Sequence, residues 1–84
     1  MADEVNYQLT ADVKIRQGVY SNCAFITSQP KEDRIDFAFI DDASEGNASG
    51  IVVARVILSR PALIELRDAI TMHLSRAEEE LDAD

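Results

Sequence analysis

The sequence predicts an α+β domain, an antiparallel β-meander of three to four strands followed by one long C-terminal α-helix packed on the sheet. Three observations predict it. Apolar and polar residues alternate from the N-terminal region onward, which is the period of a half-buried strand. A run of branched residues at 51–58 passes through Ser59-Arg60-Pro61 into a stripe with helical spacing. Short connections between successive strand patterns favour a meander with the helix on one face.

In chain order, Val5, Tyr7, Leu9, Ala11, Val13 and Ile15 occupy odd positions, and Asn6, Gln8, Thr10, Asp12, Lys14 and Arg16 the even ones. This predicts a strand over 5–16. It is long for one strand, typically about 5–6 residues, so it either bends near 10–12 or begins as an edge strand that pairs with another chain. Gly18 interrupts the alternation and is expected at a bulge or bend. A second strand is expected over 19–26. Residues 28–33, Ser-Gln-Pro-Lys-Glu-Asp, have the composition of a turn. The third strand, 34–40, sets Ile35, Phe37 and Phe39 on one face and Asp36 and Ala38 on the other.

Residues 41–50 are acidic, small and glycine-bearing, and are expected to form a mobile acidic loop. The strand at 51–58 is apolar on both faces except at Arg55, as expected of a central or doubly covered strand. Ser59 is a suitable N-cap and Pro61 falls in the first helical turn. Leu63, Leu66, Ile70, Leu74, Ala77 and Leu81 then share one helical stripe about 30 Å long, enough to cross a small sheet. Ile64 and Met72 lie off the stripe. With Tyr7 and Leu9 they are the candidate oligomer contacts. The acid-rich end, Glu78 to Asp84, opposes the helix dipole and is expected to fray.

At 84 residues the chain is one domain, 1–84, with 1–4 and 82–84 expected to be disordered. A chain this short buries only about 60–65% of its unfolded surface, so help from a partner subunit is expected. Sixteen acids against eight bases give a net charge of −8, which opposes binding to nucleic acid or anionic membranes. The acidic start and the absence of a long apolar run point to a cytoplasmic protein. The single cysteine agrees with a reducing compartment.

Chemistry-bearing residues are sparse. His73 is the only histidine and stands at the edge of the helix stripe. Cys23 lies mid-strand beside Phe25 with no paired cysteine, the setting of a small apolar core residue. Residues 41–50 supply oxygens but fail the EF-hand pattern, with Ala43 at the third position and Val52 at the twelfth. The triplet Asn47-Ala48-Ser49 is a chance glycosylation match without a secretory signal. No catalytic residue, metal set or cofactor site is expected, and an enzyme is the least favoured class. Asp36 and Arg55 are different. Each is the charged exception in an apolar strand, and a cross-strand ion pair is expected between them.

Three fragments in order, Gly18-Val19-Tyr20-Ser21-Asn22 leading to Ile26-Thr27-Ser28, then Ile35-Asp36-Phe37, then 53–59 (Val-Ala-Arg-Val-Ile-Leu-Ser), resemble the domain of unknown function 3467 family of small bacterial and archaeal proteins. This chain has Asp33-Arg34 where similar proteins usually carry glutamate and phenylalanine. The resemblance implies no reaction; it marks Tyr20, Asn22, Asp36 and Arg55 as positions of interest. The order of strands then helix in a small acidic protein also looks like the subunit of the export chaperone SecB, a likeness of architecture alone. Two functional expectations follow. One is a non-enzymatic, homo-oligomeric protein-interaction module with SecB-like polypeptide binding, which needs an open apolar patch. The alternative is a small-ligand or regulatory module centred on Tyr20, Asn22, Asp36 and Arg55, which needs a closed polar pocket.

Overall fold

Two long strands joined by a two-residue turn dominate the architecture. The computed structural model describes residues 4–82, with strand β1 at Cys23–Ser28, β2 at Asp33–Ser44, β3 at Asn47–Leu58, a short helix α1 at Val13–Gln17 and a long helix α2 at Arg60–Asp82. The strands form one antiparallel sheet in the order β1-β2-β3. This is the α+β arrangement of meander and C-terminal helix. The expected disorder at 1–4 and 82–84 falls outside the described residues, apart from Glu4, which is in no regular element, and Asp82, which ends α2.

The N-terminal alternation does not form a strand in the single chain. Residues 4–12 lack regular structure, and α1 takes the second half of the pattern. Local capping explains the helix. The Asp12 carboxylate accepts a hydrogen bond from the Ile15 N–H at 2.9 Å, and Gly18, at φ 75°, closes the turn by donating its N–H to the Ile15 carbonyl. Gly18 is thus a helix C-cap rather than a strand bulge. The second strand starts at Cys23, later than expected. Residues 21–22 nevertheless continue along β2 by side-chain bonding. Asn22 donates its side-chain amide to the Ile40 carbonyl at 3.0 Å and accepts the Ile40 N–H at 2.9 Å. Its own backbone N–H donates to the Ala38 carbonyl.

Residues 41–50, expected as a loop, instead complete a β-hairpin. Glu45 at φ 50° and Gly46 at φ 84° both take positive φ, the requirement of the tight turn whose twist matches paired strands. The ladder continues on either side through Asp42↔Ser49, Ala43↔Ala48 and Ser44↔Asn47. Acidic composition concealed strands that need no buried face, because backbone pairing alone carries this tip. Register shifts fall between Phe37 and Ala38 and between Ile40 and Asp42. Gly50 lies beside the second shift. There a Cβ would overlap the Phe39 carbonyl oxygen.

Helix α2 begins as the sequence predicts. The Ser59 hydroxyl accepts the Ala62 N–H at 3.3 Å and the Ser59 carbonyl accepts the Leu63 N–H at 3.0 Å. The helix is anchored to the sheet at its first residue. Arg60 donates Nε and Nη2 to the two oxygens of Asp33 at 2.6 and 3.1 Å, and the Asp33 carboxylate is fully buried. Further along, the stripe is only partly covered, with Leu63, Leu66 and Ala77 half-buried and Ile70, Leu74 and Leu81 exposed.

The core is correspondingly small, with Ile35 and Ala38 its buried apolar residues among those described. The radius of gyration is 16.6 Å, against about 12 Å for a compact chain of this length. The accessible surface is 7679 Å², against about 5,000 Å² for a compact chain of this mass. No described helix is long and apolar enough to cross a membrane.

Candidate functional site

Residues directly opposite one another in an antiparallel sheet share a face. The pairs Ile26↔Ile35↔Val56 and Ala24↔Phe37↔Ala54 therefore lie on one face. Asp33 belongs to this face too, opposite Ser28 and Leu58, and this brings Arg60 and the start of α2 over it. Between sheet and helix lies an open cleft of about 450 Å³. Ala24, Ile26, Ile35 and Phe37 form its floor. Leu63, Leu66 and Ile70 form its wall, with Arg67 and Thr71 as the polar side chains. The cleft is apolar because period two on the strands and the helical stripe on α2 face each other. It is open because α2 is fixed to the sheet at one end.

The opposite face carries the charged pair. Phe25, Asp36 and Arg55 stand in one row across the three strands. Arg55 donates Nε and Nη2 to Asp36 at 2.7 and 3.2 Å, and Arg34 Nε lies 3.8 Å from the same carboxylate. The Arg55 hydrogen bonds hold the Asp36 carboxyl below its ordinary value, against desolvation, and Asp36 in turn raises Arg55. Asp33 is held low in the same way, chiefly by Arg60 and further by the Ser28 hydroxyl opposite it. A bidentate guanidinium–carboxylate pair fixes strand register as well as charge. The Arg34 Nε is buried and finds no hydrogen-bond partner among the described residues.

The four positions singled out from the sequence do not converge on one pocket. Asp36 and Arg55 meet each other opposite Phe25, while Asn22, just before the start of β1, bonds the Ile40 backbone. The Tyr20 ring stands edge-on to Phe39 with centroids 5.7 Å apart. Tyr7, Leu9, Ile64 and Met72 are all exposed. Cys23 is a half-buried free thiol. His73 is exposed on α2 and lines neither the cleft nor the charged row. The Asp33–Arg60 pair was missed in the sequence. Its signal was the register itself, because a strand starting at Asp33 opposite Leu58 places Asp33 beside the strand–helix junction.

A family model described as a protein of unknown function, DUF3467, matches residues 1–82. The chain belongs to the DUF3467 family. The match includes the N-terminal arm, so the alternating residues before α1 are part of the DUF3467 domain together with the sheet and α2. Comparison with curated proteins and with solved structures found no match.

Proposed function

We propose that this DUF3467 protein is a non-enzymatic, homo-oligomeric protein-interaction module whose copies associate through the apolar cleft between sheet and α2. The observation that carries this reading is the cleft itself, an apolar floor and an apolar wall held apart. The surface surplus supports it quantitatively. An excess of about 2,700 Å² per chain over a compact fold is at least as large as the roughly 1,000–2,500 Å² that each partner of an obligate homodimer buries. Closing α2 onto its own sheet would leave much of this surplus in place. Phe25, Val52 and Ile57 point away from the cleft or lie outside it, and Ile64 and Met72 lie off the helix stripe.

Polypeptide binding in the manner of SecB is the finer version of this reading. The order of strands then helix supports it, together with the exposed Phe25, Val52 and Ile57 on the charged face. Sedimentation equilibrium over the micromolar range tests the association. The expected mass is a multiple of 9.3 kDa. A chain that stays monomeric throughout overturns the reading.

A further inference from the structure

We propose that residues 5–11 become a β-strand only on association, adding to the outer edge of β1 in a second copy of this chain. The inference deepens the homo-oligomeric reading above and rests on it. Three features of the arm support it. Its alternation is that of a strand, yet the single chain gives it none. Its apolar side chains contact little, with Tyr7 77% and Leu9 86% exposed. Alternation with all apolar residues on one side specifies a partner surface that is apolar on one face only.

The sheet offers two edges, β1 and β3, and they differ. Natural edges are blunted by charge, proline or bulges. β3 carries Arg55 and a bulge at Val53, where Phe37 pairs with Ala54 but Ala38 with Val52. β1, Cys-Ala-Phe-Ile-Thr-Ser, has no charge, no proline and no register shift with β2. It is the unguarded edge. The cleft lies on the same side, since its floor comes from β1 and β2 and from no residue of β3. A fourth strand beyond β1 would set Val5, Tyr7, Leu9 and Ala11 beside Ala24 and Ile26, widening the apolar floor. Asn6, Gln8 and Thr10 would fall on the face that carries Asp36 and Arg55. The occupant is a second copy because every copy supplies both the arm and the edge. The exchange therefore closes as an isologous dimer with two such pairings.

Hydrogen exchange read by NMR on the full chain tests this, comparing the wild type with Tyr7→Asp/Leu9→Asp. These side chains touch little in the single chain, so the double variant keeps its sheet and α2. In the wild type, amides of residues 5–11 and the outward amides of β1 are expected to be protected at dimer-forming concentrations and to lose protection on dilution. In the variant they exchange faster, and the dimer weakens about 100-fold or more, as expected from removing four buried apolar side chains per dimer. Protection that survives dilution to monomer would mean the arm pairs within its own chain, which overturns the proposal. A dimer whose arm amides are unprotected overturns it too, while leaving association through the cleft intact. A chain that never dimerises overturns both.

Discussion

Replacing Ile70 and Leu74 by alanine separates association from folding. Both lie on the α2 stripe and are 49% and 53% exposed in the single chain. Their apolar area is thus only half used by their own subunit. Fully burying such a side chain contributes roughly 1.5–3 kcal/mol, so the exposed half of each is worth about 1 kcal/mol on association. A symmetric dimer holds two copies of each, which gives about 4 kcal/mol or a weakening near 10³-fold in dimer Kd. Alanine is the better helix former, so α2 itself is not weakened. Sedimentation equilibrium over a dilution series reads the Kd, and circular dichroism at the monomer end reads the helix. An unchanged Kd with intact helicity would refute the assignment of this face to the interface.

Gly50→Ala should destabilise the hairpin by about 2 kcal/mol or more, because the new Cβ overlaps the Phe39 carbonyl oxygen and presses on Ile40 Cα. Gly46→Ala, strained only by its φ of 84°, should cost about 1 kcal/mol; urea midpoints in the reverse order would contradict the close approach. Asn22→Ala removes two bonds to the Ile40 backbone and should cost about 1–2 kcal/mol, with faster hydrogen exchange at the Ile40 amide. The Asp33 carboxyl is held below its ordinary 3.8 by Arg60. Its folded value lies under its unfolded one, so the stability it contributes is complete above 3.8 and is lost as pH falls through the folded value. Denaturation midpoints should therefore drop in acid below that point, and Asp33→Asn should flatten the drop; an unchanged acid slope would contradict the coupling.

The sequence disclosed those elements whose pattern depends on their own residues. Ser59 and Pro61 mark the start of α2, and the Leu63 to Leu81 stripe marks its apolar side, of which only Leu63, Leu66 and Ala77 are half-buried in the single chain. Asp36 and Arg55 were legible because each interrupts an apolar run, 35–39 and 51–58, and the ladder sets them directly opposite. The hairpin tip was not, since Glu45-Gly46 reads as loop by composition and only its two positive φ values reveal the turn. Asp33 and Arg60 are 27 positions apart, and only the β2–β3 register brings them together. For residues 5–11 the period was legible but the strand was absent. A strand needs a paired neighbour, and in the single chain the arm pairs with none of the described strands.

The most direct measurement is an isotope-filtered NOE experiment on a mixture of labelled and unlabelled chains, read at the methyl groups of Ile26 and Ile70, which are exposed in the single chain. The account predicts interchain contacts at these methyls, which line the cleft. Contacts confined to a single chain, with α2 closed on its own sheet, would contradict it.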